Sequence, residues 1–206
     1  MPNVDLNVEA VPAVDARRQG TIDRVRRAAL ELLLARGLDV TMDEIAEAAE
    51  IGRRTLFRHF ASREQLLASA LEQGIARYSS HLPSFEGDWT TWLRALCNSA
   101  HAMHAGYGPG YWELMHRAEL PAELAAVEND RRKRRRKAMV RIAQTLWQET
   151  GGAGAAPKVL VATVASHLSA RFTAAVVDEG GQSWQMAADI AFDAIHGALT
   201  RATRKP

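Results

Sequence analysis

The chain has 206 residues, of which 47% are hydrophobic, 24% charged and only 6% aromatic, so it can bury a core of its own in one or two domains. A formal net charge of +2 is too small to signal a nucleic-acid partner and leaves that question to how the charges are distributed. One cysteine, Cys97, excludes an intramolecular disulfide framework and a multi-cysteine zinc site. No stretch has the roughly 18 apolar residues of a membrane span, and the start lacks a basic segment followed by an apolar run. The expectation is a soluble, cytoplasmic chain with no membrane contact.

Residues 1–20 contain Pro2 and Pro12, show no sustained helical period and read as a flexible arm. From Thr21, the apolar residues Ile22, Val25, Ala29, Leu32 and Leu33 recur at helical spacing, and Gly37 follows Arg36 where a left-handed cap would end the helix. Thr41 and Glu44 then form a capping box, with Met42, Ile45, Ala46 and Ala49 as the buried stripe. A tight turn through Glu50, Ile51 and Gly52 leads to a short helix over 53–60, with Leu56 and Phe60 inward. Ser62 and Gln65 make a second capping box that launches a longer helix ending before Pro83.

Beyond Pro83, Asp88 is a candidate N-cap for a helix over 89–107, which the glycines around Pro109 break. A short aromatic helix over 111–117 follows. Pro121 opens a long helix ended by Gly151 and Gly152, Pro157 opens another that runs to Gly180, and Ser183 caps the last. The fold class is all-α, with about nine helices following the arm over 1–20.

The second short helix carries Arg53, Arg54, Thr55, Arg58 and His59, and no acidic residue occurs over 51–63. A helix about 10–12 Å across fits the roughly 12 Å major groove, where arginine can donate to guanine in bidentate fashion or pair with phosphate. The amides near Thr41 at the start of the preceding helix can meet a phosphate. The same shape also serves as a compact packing unit whose arginines are merely solvated.

At these residues the sequence resembles the tetracycline-repressor (TetR) family of bacterial transcriptional regulators. The resemblance runs over 22–67 and is carried by Thr41-Met42-Asp43-Glu44-Ile45-Ala46, by Gly52-Arg53-Arg54-Thr55-Leu56-Phe57-Arg58-His59-Phe60 and by Ser62-Arg63-Glu64-Gln65-Leu66-Leu67. It implies a three-helix helix-turn-helix DNA-binding head over 21–64 on a double-stranded operator, a divergent helical body over 65–206 for a small effector, and a homodimer formed through the last two long helices. By position, Arg53, Arg54 and Arg58 would face bases or nearby phosphates, while Thr41, Thr55, His59 and Arg63 would anchor the backbone. Glu50 stands where such turns often have glycine, so a left-handed backbone there would cost roughly 1 kcal/mol. Gly52 replaces a side-chain N-cap, and Phe57 replaces a frequent tyrosine.

In the body, Trp92, Tyr107, Tyr111, Trp112, Met115 and Trp147 concentrate aromatic and thioether surface beside His101 and His104, with His167 and Arg171 as further polar candidates. Large core residues of a bundle would look the same; as a group they suit a pocket for an apolar or aromatic ligand. His101 and His104, with His116, could co-ligate a metal, but no recognisable zinc motif accompanies them, and no metal or cofactor is expected. The basic run over 131–137 reads as a solvated helical segment partly paired with Glu123, Glu128 and Asp130. Ala187, Ala191, Ala194 and Ala198, with Val164, Leu168, Ile190 and Ile195, are the expected dimer surface. No phosphate-binding glycine loop, nucleophile elbow or His-Glu-x-x-His pair is present, so the chain reads as no enzyme. The competing readings are a helical small-molecule-binding protein without operator recognition and, further off, an enzyme using the body pocket.

Overall fold

The computed structural model describes residues 13–203. Among them all regular structure is helical. Ten α-helices follow in order: α1 (Ala13–Arg36), α2 (Met42–Ala48), α3 (Arg53–His59), α4 (Arg63–His81), α5 (Trp89–His104), α6 (Pro109–His116), α7 (Ala122–Glu149), α8 (Lys158–His167), α9 (Ala170–Ala174) and α10 (Trp184–Thr203).

Two differences from the sequence reading have local causes. The first is that residues 13–20 are helix rather than arm; residues 1–12 lie outside the described part. Ala16, Arg17, Arg18 and Gln19 all favour helix. The extra turns are tied on by Thr21, whose hydroxyl donates to the Arg17 carbonyl at 3.0 Å, and by Gln19, which donates to Asp23 at 3.0 Å. The second is that the helix expected from Pro157 to Gly180 is broken. Leu168 leaves the helical region (φ −87°, ψ 44°), and Ser169 restarts the chain as an N-cap whose hydroxyl accepts from Phe172 N at 3.1 Å. The carbonyls freed at the break are taken up by Arg135 of α7, whose Nη2 donates to Ala165 O at 2.7 Å and Leu168 O at 3.3 Å. α9 then widens into a π-helical turn over Ala175–Glu179.

The caps form much as the sequence predicts. Thr41 Oγ1 accepts from Glu44 N, and the Glu44 carboxylate accepts from Thr41 N at 2.8 Å. That backbone bond, with Arg36 beside it, holds the Glu44 carboxyl down at about 2. At the start of α4, Ser62 Oγ accepts from Gln65 N, while Gln65 reaches back to Ala61 N rather than to Ser62. Asp88 caps α5, and Gly37 takes the left-handed conformation at φ +75°. Glu50 is left-handed at φ +53°, the strain its position implied.

Two apolar clusters organise the molecule. The first joins α1, α2 and α3 to the first half of α4 through Val25, Leu33, Ile45, Leu56, Leu66 and Leu67, and it also takes in Leu114 of α6 and Leu124 of α7. The second joins α5, α7, α8 and α10 through Leu93, Cys97, Leu146, Leu160 and Ile195. α4 packs against α1 and α7, and α6 against α1. α6 lies so close to α1 that a Cβ at Gly110 would stand 2.2 Å from Leu33 O and from Gly37 N.

Candidate nucleic-acid interface and buried polar cluster

In the head, the α2 cap and the α2–α3 turn set the direction of α3, which is anchored inward by Leu56 and Phe60 and leaves Arg53, Arg54, Phe57 and Arg58 exposed. Thr55 and His59 are half-buried on its side facing α1. Arg53 lies over the Phe57 ring at 5.5 Å and pairs with Asp43 of α2 at 3.0 Å, both side chains open to solvent. So exposed a pair contributes little and leaves the guanidinium exchangeable. Arg63 pairs with its neighbour Glu64. The Thr41 hydroxyl is committed to the cap, where it also donates to Glu44. Among the described residues, no ion pair engages Arg54 or Arg58.

The body brings four of the expected ligand residues together. His101 and His104 of α5 meet edge to face; His104 packs on Tyr107, and Tyr107 on Tyr111 at 4.2 Å between ring centres. Met115 borders this group through the Arg131 guanidinium at 3.5 Å. The sequence reading missed Tyr78 of α4, Thr173 of α9, Phe172, Arg131 and Arg135. Tyr78 OH lies 3.1 Å from His104 Nε2, and Thr173 Oγ1 lies 2.8 Å from His101 Nδ1 and 3.3 Å from His104 Nδ1.

One proton arrangement uses every contact. Thr173 donates to Ser169 O and accepts from both imidazole Nδ1–H groups, and Tyr78 donates to His104 Nε2. His101 Nε2 is then a bare lone pair, fully buried and without a partner. Burial holds both imidazoles neutral. It lowers His101 to about 4 with help from His167, and His104 to about 3 with help from His101, Arg135 and Arg131. Burial also pushes the Tyr78 hydroxyl up to about 12.

The other candidates have other neighbours. Trp92 donates to Pro83 O and packs edge-on against Phe85. Trp147 donates to Ala153 O and folds over Gly152. Trp112 lies against Tyr111 and His116, His167 against Phe172, and Arg171 is exposed. His116 bonds back to Trp112 O, and no three His, Cys, Asp or Glu side chains among the described residues form a metal-holding group.

The basic run is less solvated than its composition suggests. Arg131 and Arg132 converge on Glu128, a carboxylate only 2% exposed; burial alone would raise its pKa, and the two guanidinium groups outweigh this and keep it lowered. Arg134 pairs with Asp130 on the surface. The expected dimer surface also needs correction. Ala187, Ala191, Ala198, Val164, Leu168 and Ile195 are buried within the protomer, because α10 packs its small-residue face on α5 and α8. Val159 of α8 and Met186 and Ile190 of α10 are the large apolar residues left exposed on these helices.

Residues 25–70 match the family profile described as bacterial regulatory proteins, tetR family. The chain is similar to the HTH-type transcriptional regulator TcmR of Streptomyces glaucescens, 53% identical over 47 residues, which cover 22% of this chain and 21% of TcmR. It is also similar to MftR of Mycobacterium tuberculosis, 41% identical over 75 residues, which cover 36% of this chain and 34% of MftR. The matched segments thus span about a fifth and a third of these curated relatives. Among solved structures, a tetR-family transcriptional regulator from Streptomyces coelicolor superposes with a TM-score of 0.65 at 18% identity, over 89% of this chain and 82% of that one. AibR, solved with isovaleryl coenzyme A and operator DNA, superposes with a TM-score of 0.60 at 17% identity, over 84% and 96%. At such identities the likeness is one of fold, and it extends over head and body alike.

Proposed function

We propose that this chain, whose residues 25–70 match the family profile described as bacterial regulatory proteins, tetR family, is a ligand-released transcriptional repressor binding a pseudo-palindromic operator as a homodimer. The observation that carries the reading is α3: a short helix set on a capped partner, exposing Arg53, Arg54 and Arg58 with no acidic residue over 51–63. Arg53, Arg54 and Arg58 face base edges or nearby phosphates, and Thr55, His59 and Arg63, with the amides at Thr41, hold the backbone. Residues 21–64 act as the reading head, and residues 65–206 carry the effector and dimer contacts. Val159, Met186 and Ile190, turned outward on α8 and α10, are the apolar surface a second copy would cover.

Operator selection from genomic fragments with purified protein tests this. Arg53→Ala or Arg54→Ala should each cost about 1–3 kcal/mol on the selected site and far less on an arbitrary duplex. Sedimentation should find two chains per operator. Failure to enrich any duplex would favour a small-molecule-binding protein without operator recognition, and turnover of a bound molecule would favour an enzyme.

The effector seat is the cluster around His101. Its bare Nε2 calls for a ligand with a hydroxyl or N–H donor, and Tyr107, Tyr111 and Phe172 call for a flat, largely apolar body on that donor. The occurrence of an acyl-coenzyme A and operator DNA together on AibR supports coupling of two such sites in this fold. A ligand shifts the head only through differential affinity, so operator DNA should weaken effector binding by the same factor that effector weakens operator binding, commonly about 5 to 150-fold. Equal dissociation constants with and without operator, read by tryptophan fluorescence, would exclude that ligand as the inducer.

A further inference from the structure

The first two turns of α1 put cations where the sequence reading had an arm. Arg17 and Arg18 stand exposed on this helix and face α3 across a groove of about 470 Å³. The groove is lined by Arg17, Arg18, Thr21, Thr55, Arg58 and His59: three guanidinium groups, two hydroxyls and an imidazole, with no carboxylate. Thr55, Arg58 and His59 fall at i, i+3 and i+4, so one side of α3 supplies all three.

Several other cations of the head have ion-pair partners, though among the described residues Arg54 has none. Arg36 pairs with Glu44, Arg53 with Asp43 and Arg63 with Glu64, whereas no ion pair among the described residues engages Arg17, Arg18 or Arg58. The field they leave is felt by His59, whose pKa is lowered by burial and then by the charges of Arg58 and Arg18. Donors that converge from two helices without an acid to answer them are an anion seat. Its position beside the exposed arginines of α3 matches a phosphodiester of the strand that borders the groove being read.

We propose that this α1–α3 groove is a phosphate seat for the DNA backbone, with Arg17 and Arg18 as its ligands alongside Thr55, Arg58 and His59. The proposal rests on the operator-binding reading and extends the interface to a helix that the helix-turn-helix motif leaves out. It also places Arg58 on phosphate rather than on a base. The seat carries no sequence information; it fixes where α3 enters the duplex and adds to the salt dependence.

The test measures fluorescence anisotropy of the full chain on its selected operator and on an arbitrary 20-base-pair duplex, over a range of salt. The Arg17→Ala/Arg18→Ala double variant should bind both duplexes more weakly by a similar factor. Its plot of log affinity against log salt should flatten by about 1.8 per protomer, two contacts at about 0.9 each. Arg17→Lys/Arg18→Lys should recover most of the slope, and the melting temperature of both variants should stay that of the parent. Parent-like affinity and slope in the alanine variant, while Arg53→Ala still weakens operator binding, would overturn the phosphate seat and leave the operator reading intact. No duplex binding by the parent would overturn both. Inorganic phosphate or pyrophosphate competing below millimolar concentration at constant ionic strength, with Arg17 and Arg18 dispensable for duplex binding, would assign the seat to a free anion and overturn the DNA assignment.

Discussion

Gly110→Ala will lower the unfolding midpoint by about 6–12 °C. The new Cβ would stand 2.2 Å from Leu33 O and Gly37 N and 2.8 Å from Arg36 N, all backbone atoms at the C-terminal end of α1 that no rotamer change can move. The helices must separate, and overpacking against fixed backbone costs about 3 kcal/mol or somewhat more, which for a chain of this size corresponds to that shift. Because α6 also carries Tyr111, separation should loosen the His104–Tyr107–Tyr111 stack together with the head. Gly20→Ala is the internal control. It lies in α1 with nothing within 4 Å of its added Cβ, so the variant should gain about 0.5–1 kcal/mol from helix propensity. A Gly110→Ala protein that melts with the parent would show that the close α1–α6 approach is absent in solution.

Stability will fall as the pH is lowered from 6.5 toward 4.5. His101 and His104 are held neutral by burial, at about 4 and about 3, while the unfolded chain takes up protons near 6.5. In that window the unfolded state binds more protons than the folded state, so unfolding free energy rises with pH, by about 1.4 kcal/mol per pH unit for each fully effective histidine. Carboxylates held low, such as Glu44 at about 2, begin to contribute only below their unfolded value of 4.5, which leaves the window to imidazoles. His59 is lowered too and adds the same sign, so variants decide the assignment. Urea midpoints measured every half pH unit should show the slope in the parent and a flatter curve in His101→Gln and His104→Gln. Equal slopes in all three proteins would remove the buried pair as the cause.

The head was legible in the sequence because its signals are local. Thr41 with Glu44, Ser62 with the Gln65 amide that donates to it, Gly37 after Arg36 and the acid-free α3 each act within four residues and need no tertiary knowledge. The failures arise where a residue's partner is distant. The basic run looked solvated because seven consecutive charges point around a helix. Yet the inward positions of α7 run Leu124, Glu128, Arg131, Arg135, Met139, Leu146, and the helical period continues straight through the run. Weighing period above composition would have placed Arg131 and Arg135 inside. The break at Leu168 had a sequence signal in Ser169, a capping residue within an apolar pattern, but the guanidinium that satisfies the freed carbonyls comes from 30 residues away. On α10 the alanines did mark close helix approach; sequence alone does not distinguish a partner helix in the same chain from one in a second copy.

Leu114 and Leu124 sit in one apolar cluster with Val25, Leu33, Ile45 and Leu66, so the reading head has no seam of its own. A cut after residue 64 would strip Leu66, Leu67, Leu71, Leu114 and Leu124 from it and leave an apolar socket open to water. The head is therefore not an exchangeable cassette. A chimera that grafts the proposed DNA-reading head onto another helical body has to carry the first half of α4 and recreate the two leucine plugs from α6 and α7. Any body that seats those plugs differently will reset the tilt of α2 and α3 even with every residue on their exposed faces unchanged.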